Sequence, residues 1–231
     1  MTEAPMFAQA ATAQTLNAPF GAGRHHAEAR RTPASFSPDQ PHQVVFYDAN
    51  EEIYAQGEQA SALYQVEFGA VRLYRLLADG RRQISAFHIA GEVFGFEADG
   101  QHHFFAEAVG HAGIRVFRQP ASETNWRQTL DAALAALVRA QEHLLVIGRQ
   151  NAAERVAAFL LDMMERQNSD REVQLAMSRT DIGDYLGLTI ETVSRTFSKF
   201  KSRGLVRLAN TRTVEVIDAG ALRAMCDCGV G

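Results

Sequence analysis

The chain is poor in cysteine: of 231 residues only Cys226 and Cys228 are cysteines, and both lie close to the C-terminus. That scarcity excludes a disulfide-stapled scaffold and an iron–sulfur cluster held by four thiolates of one chain. No run approaches the roughly 20 apolar residues of a membrane-spanning helix, which excludes an integral helical membrane protein. The N-terminus, Met1-Thr-Glu-Ala-Pro-Met6, has no basic start followed by an apolar stretch, so it does not read as a secretory signal, and a cytoplasmic location is expected. Proline is nearly missing beyond residue 41, because Pro5, Pro19, Pro33, Pro38 and Pro41 are five of the six. With 46% hydrophobic and 22% charged residues in 25.4 kDa, the remainder can bury a core of one large or two modest domains.

Residues 1–43 show no sustained periodicity and read as a flexible tail. The pair His25-His26 lies within it, and an isolated exposed pair is expected to bind no metal. From Val44 to Pro120 the pattern is one of short β-type runs: Val44–Tyr47, Glu52–Ala55, Ala62–Glu67, Ala70–Leu77, Arg82–His88, Phe104–Val109 and Ile114–Arg118. Turn residues separate them about every ten positions, and Asp79-Gly80 is the strongest hairpin signal. Such spacing predicts a small antiparallel β-roll of the jelly-roll kind.

Residues 121–150 take a helical period. Leu130, Leu134, Leu137, Gln141, Leu144 and Gly148 are spaced 4, 3, 4, 3, 4, a heptad seam with one polar interruption. A helix packed only on its own roll would satisfy a single stripe. A second stripe (Ala133, Val138, Leu145) predicts contact on two sides and favours a homodimer helix. After a bend at 148–151, Val156, Phe159, Leu160 and Met163 follow i, i+3, i+4, i+7 in a helix expected over Ala152 to Gln167.

The sharpest signal lies in 151–231. Ser178 can cap a short helix with Asp181 three residues on, and Gly187 stands at a sharp turn. Thr189 can cap a second helix with inner face Val193, Phe197 and Phe200, and Gly183 is small where the helices would cross. This is a helix-turn-helix pattern. Runs Leu205–Leu208 and Thr213–Ile217 around Asn210-Thr211 predict a β-hairpin wing, so the expected class is α+β: β-roll, long dimerisation helix, winged helix-turn-helix. The net charge of −4 hides an asymmetry. Between Ser178 and Arg212, seven basic residues face three acidic ones, a local +4 on a body of −8. The second helix turns Ile190, Glu191, Ser194 and Arg195 outward. Glu191 and Arg195 could form a surface ion pair of little consequence. In a DNA groove, Arg donates to guanine O6 and N7 and Glu accepts from cytosine N4. These four are the candidate base contacts, and Ser178, Thr180, Thr192, Lys199, Lys201 and Arg212 are the candidate phosphate contacts, with Arg207 also near the wing.

These elements together resemble the cyclic-AMP receptor/FNR superfamily of bacterial transcription regulators over about residues 44 to 226. Gly69-Ala-Val-Arg-Leu-Tyr-Arg-Leu-Leu-Ala-Asp-Gly-Arg-Arg-Gln83, His143-Leu-Leu-Val-Ile-Gly-Arg-Gln150 and Asp184-Tyr-Leu-Gly-Leu-Thr-Ile-Glu-Thr-Val-Ser-Arg195 resemble its FixK branch. The resemblance implies a homodimeric regulator, mainly an activator, of microaerobic respiration and nitrogen-fixation genes, bound to a TTGAT–ATCAA-type palindrome. It also implies RNA polymerase as a partner, with the Asp79–Arg82 loop a candidate contact. Two departures limit it. The Arg-Ser pair that holds a cyclic phosphate is replaced by Phe104-Phe105-Ala106 after Gly91-Glu92 and Gly95-Phe-Glu97, so no cyclic nucleotide is expected. The N-terminal cysteine cluster of oxygen-sensing relatives is missing too. No cofactor and no metal ligand are expected, and Cys226-Asp-Cys228 reads as an incidental pair in a C-terminal tail. Two alternatives remain open. A metal-holding cupin enzyme is disfavoured because His102 and His103, adjacent on a strand, would face opposite sides. A ligand-gated module would need an apolar effector.

Overall fold

The computed structural model describes residues 43–118, 126–149 and 151–227. The expectations for the tail, His25-His26 and Cys228 lie outside the described residues. Eight strands come first: β1 Gln43–Tyr47, β2 Glu52–Tyr54, β3 Ala62–Phe68, β4 Ala70–Leu76, β5 Arg82–Ile89, β6 Val93–Phe94, β7 Phe105–Ala108 and β8 Ala112–Arg118. The helices α1 Trp126–Ile147 and α2 Ala152–Arg166 follow. The chain continues through β9 Glu172–Gln174, α3 Arg179–Leu186, α4 Ile190–Ser202, β10 Val206–Leu208, β11 Thr213–Val216 and α5 Ala219–Asp227. Among the described residues, no helix is long and apolar enough to cross a membrane.

The first eight strands make two antiparallel four-stranded sheets, ordered β1-β8-β3-β6 and β2-β7-β4-β5. Alternation along each strand sends one set of side chains inward. Tyr54, Val66, Val71, Phe94, Ala106, Ala108, Ala112 and Ile114 fill the space between the sheets. The expected Asp79-Gly80 turn joins β4 to β5; Gly80 has φ +81°, and Leu77 accepts from its amide at 2.9 Å. Two boundaries differ from the sequence reading. The Gly110–Gly113 separator is partly strand, because Ala112 and Gly113 pair with Tyr47 and Phe46. The two-residue β6 was not anticipated. His102 and His103 lie outside any strand, between β6 and β7, and both approach Glu97, so the opposite-face argument does not apply to them.

A second core runs from the roll into the C-terminal module. The inner face of α2 (Val156, Ala157, Phe159, Leu160, Met163, Met164) packs in one cluster with Ile84 and Phe87 of β5 and with Leu186, Val193, Phe197 and Phe200. Each large apolar side chain fully buried contributes about 1.5–3 kcal/mol, and α3 adds to this core where Tyr185 meets Phe87 of β5 with ring centroids 5.1 Å apart. Asn151 caps α2 by accepting from the Ala153 amide at 2.9 Å. Arg166, near its C-terminus, donates to both oxygens of Glu92 at 3.0 and 2.8 Å and to the Phe87 carbonyl at 2.6 Å. Glu92 is buried, which pushes its carboxyl up, but Arg166 outweighs burial and holds it below the usual range.

The C-terminal segment read as a tail is the helix α5. Leu222 is fully buried, and Met225 and Cys226 pack against the second core. The expectation of a cysteine pair in a tail is corrected to this extent: Cys226 is half-buried on α5, where its thiol is 3.9 Å from the Glu154 carbonyl. The two stripes of α1 are also corrected. Side chains that face the chain's own body include Arg139, 4.0 Å from Glu92, His143, stacked on Tyr185 at 3.7 Å, and Val146. Val138 and Leu145, assigned to that second stripe, are exposed along with the heptad leucines.

Candidate nucleic-acid interface

The helix-turn-helix is built from local rules. Ser178 caps α3: its hydroxyl accepts from the Asp181 amide at 3.1 Å, and the Asp181 carboxylate accepts from the Ser178 amide at 3.0 Å. Gly187 closes α3 in the left-handed region at φ +65°, which suits a residue without Cβ. At Gly183 a Cβ would stand 2.6 Å from the Leu188 carbonyl oxygen, so the turn into α4 passes only over glycine. Thr189 caps α4 through the Thr192 amide at 3.3 Å, and Val193, Thr196, Phe197 and Phe200 form its buried face.

The opposite face of α4 is open. Ile190, Glu191, Ser194 and Arg195 are all exposed, Ile190 by 44% despite being apolar. No ion pair within 4.0 Å joins Glu191 to Arg195 among the described residues, so the surface-pair reading of these two is not what the structure holds. The Glu191 carboxyl sits below its usual range because its own amide and the Thr189 hydroxyl hydrogen-bond to it, with Arg195 adding a smaller effect. It is therefore a charged acceptor near the start of the helix.

Of the phosphate candidates, Ser178, Thr180, Lys199, Lys201 and Arg212 are exposed, and Thr192 is half-buried. The wing is a three-stranded sheet ordered β10-β11-β9, in which β9 was not anticipated. At its tip the Asn210 side chain accepts from the amides of Arg212 and Thr213 at 2.8 and 2.7 Å, fixing the bend that carries Arg212. Ser178 and Arg212 line one recess of about 470 Å³ together with Arg179, Asp181 and the roll residues Arg72 and Arg82, so wing and helix-turn-helix border the same recess. Arg207 is exposed on the wing. Its guanidinium pairs with Glu215, which also takes Arg171 at 3.1 Å.

Two sets of contacts were missed by sequence reasoning: a cation–π contact of Arg179 and a network around Arg72 and Arg82. Arg179 lies over the Phe197 ring with its guanidinium carbon 3.4 Å from the centroid, and burial pushes it down to about 10. Asp181 accepts from Arg72 Nη1 at 3.1 Å and from Arg82 Nη2 at 2.6 Å, while Asp184 takes Arg82 Nη2 at 3.0 Å. Arg72 is completed by Glu107 at 2.5 Å and Asn50 at 2.9 Å. Thus β4 and β5 of the roll hold α3 by ion pairs, and Arg82 turns inward from the loop assigned to polymerase. Asp79 and Arg81 remain outside, paired with each other at 2.7 Å. Sequence signals existed in the capping aspartate and the Arg81-Arg82 pair, but nothing local connects them.

Comparison with known proteins places these features in a lineage. Residues 154–225 match the Crp-like helix-turn-helix domain family and residues 44–121 the cyclic nucleotide-binding domain family. The chain is 52% identical over 187 residues to the nitrogen fixation regulation protein FixK of Rhizobium meliloti, covering 81% of this chain and 89% of that one. It is 44% identical to the FixK of Azorhizobium caulinodans, covering 76% of each. Among solved structures, FixK2 from Bradyrhizobium japonicum superposes with a TM-score of 0.76 at 39% identity, covering 80% of this chain and 98% of that one. These relatives are regulators, not enzymes.

Proposed function

Because this chain belongs to the Crp/FNR family of transcription regulators, we propose that it acts in the cytoplasm as a homodimer on an inverted-repeat DNA site of the TTGAT–ATCAA type, mainly activating microaerobic respiration and nitrogen-fixation genes. The observation that carries this reading is the open face of α4, where Ile190, Glu191, Ser194 and Arg195 stand exposed on a helix whose other face is buried. Arg195 hydrogen-bonds the half-site guanine and Glu191 the paired cytosine. Ser178, Thr180, Thr192, Lys199, Lys201 and Arg212 contact phosphates and supply affinity without sequence preference.

Dimerisation aligns two copies of α4 with successive major grooves about 34–36 Å apart. Leu130, Leu134, Leu137 and Leu144 support this: they are 45–68% exposed in the single chain, an apolar stripe that a second α1 would cover, with Gln141 as the polar step in the seam. The Asp79–Arg81 turn is the proposed polymerase contact.

Binding needs no cyclic nucleotide. The interior of the roll is taken up by stacked rings, His102 on Tyr54 at 3.6 Å and Tyr64 on Phe94 at 5.3 Å. Glu92 is already held by Arg166, and the phosphate-holding Arg-Ser pair is missing from the sequence. A gel-shift titration of the pure protein on an inverted-repeat and a scrambled duplex, with and without cyclic AMP, tests the reading. Preferential binding of the repeat without additive is the expected result. Equal binding of both duplexes, or a tenfold gain on adding the nucleotide, contradicts it.

A further inference from the structure

Outside the DNA-binding module, we propose that the segment between β6 and β7 binds one divalent first-row transition ion, with zinc the best match, through Glu97, Asp99 and His103. Their donor atoms lie within 4.8 Å of one another. His103 Nε2 is 3.1 and 3.0 Å from the two Asp99 oxygens and 4.0 Å from Glu97 Oε2. Ligands about 2.0–2.2 Å from a tetrahedral ion are about 3.3–3.6 Å apart, so the Asp99–His103 edge is within about 0.6 Å of its place. The Glu97–His103 edge must shorten by roughly 0.4–0.7 Å, within the reach of side-chain rotation.

An independent observation points at the same carboxylate. His102 is 2% exposed, its Nδ1 has no hydrogen-bond partner, and that nitrogen faces Glu97 Oε1 at 3.4 Å. Drawing Glu97 Oε2 onto an ion leaves Oε1 to accept from His102, the outer-sphere arrangement that orients ligating carboxylates. The remaining contacts fix the backbone before any ion arrives. His102 exchanges backbone bonds with Gly57 and Glu58 at 2.8 and 2.9 Å, and Gly100 accepts from Ala60 at 2.8 Å. The His103 amide donates to Glu97 Oε1 at 3.2 Å, and its carbonyl accepts from Arg75 at 2.7 Å.

The donor set selects the class of ion. Two carboxylates and a neutral imidazole carry a charge of −2 toward a dication. The imidazole favours zinc and its neighbours over magnesium and calcium, which take oxygen ligands. Three protein ligands leave the fourth position to water.

The test is equilibrium dialysis with elemental analysis on the full chain, in a background in which His25 and His26 are changed to Ala and Cys226 and Cys228 to Ser. That background removes the other soft donors near the termini. One Zn²⁺ per chain is expected, undisplaced by equimolar Mg²⁺, with affinity at least tenfold weaker in His103→Ala, Asp99→Asn and Glu97→Gln. The Co²⁺-loaded protein should show visible absorption that His103→Ala removes. Metal-free circular-dichroism melts superimposable on the parent identify the folded variants, and exposed His103 and Asp99 carry the test if Glu97→Gln fails to fold. No stoichiometric uptake, or unchanged affinity in the folded variants, overturns the proposal.

Discussion

Replacing Asp181 tests the link between roll and DNA-binding module. Asp181 is 4% exposed, and its carboxylate accepts from four donors: the Ser178 amide and hydroxyl, Arg72 Nη1 and Arg82 Nη2. Asp181→Ala strips the buried Arg72 of one charge-assisted bond, costing about 1.5–3 kcal/mol. It removes half of the capping box, about 1 kcal/mol. The Arg82 contact is partly solvated and still has Asp184, so about 0.5 kcal/mol is assigned to it. The expected loss is about 3–4.5 kcal/mol, a large part of the 5–15 kcal/mol typical of a folded protein. Asp181→Asn keeps an acceptor for the Ser178 amide and should lose about half as much. Urea denaturation followed by circular dichroism at one protomer concentration gives these values. A cycle with Arg72→Met should return a coupling of about 1–3 kcal/mol, because the two side chains touch. A cost below 1 kcal/mol for Asp181→Ala, or zero coupling, would refute the anchoring argument.

Two further outcomes follow from other parts of the structure. Leu137→Glu with Leu144→Glu should shift the protein to monomer in analytical ultracentrifugation, because an unpaired charge buried in the seam costs several kcal/mol, on the order of 3–5; an unaltered dimer refutes the α1 seam. His88 and His143 are both pushed down to about 4 by burial. The unfolded chain binds these protons near 6.5 and the folded one only near 4, so stability is full above pH 6.5 and falls as pH drops through that window, by about 3 kcal/mol for buried His88 and by less for His143, where solvent screens part of the effect. His143→Phe, which keeps a ring against Tyr185, should flatten the fall, and an unchanged slope would show that burial of His143 is not its cause.

The helix-turn-helix was legible because its determinants are local: caps at Ser178 and Thr189, the turn at Gly187, and inner stripes of helical period. The β-roll was legible for the same reason, through short runs and Asp79-Gly80. What escaped was either too short for a period or joined across the chain. Glu172–Gln174 and Val93–Phe94 are strands only because β11 and β3 lie beside them. Helix α5 begins Ala-Gly-Ala, weak as a helix signal, and is held by Leu222 against the second core. Arg72 and Asp181 are 109 residues apart, and no spacing rule brings them together. His102 and His103 misled for a related reason: period-two alternation holds on a strand, and they lie off one.

The central claim is that α4 reads bases while the surrounding cations hold phosphates. The measurement is binding of Arg195→Ala and Lys199→Ala to a panel of single-base operator variants at fixed salt, repeated at two salt concentrations. Arg195→Ala should lose about 1–3 kcal/mol per half-site and its preference at the guanine of TTGA. Lys199→Ala should weaken all duplexes alike and flatten the salt dependence. Full discrimination at that guanine by Arg195→Ala, with discrimination lost in Lys199→Ala, would contradict the assignment.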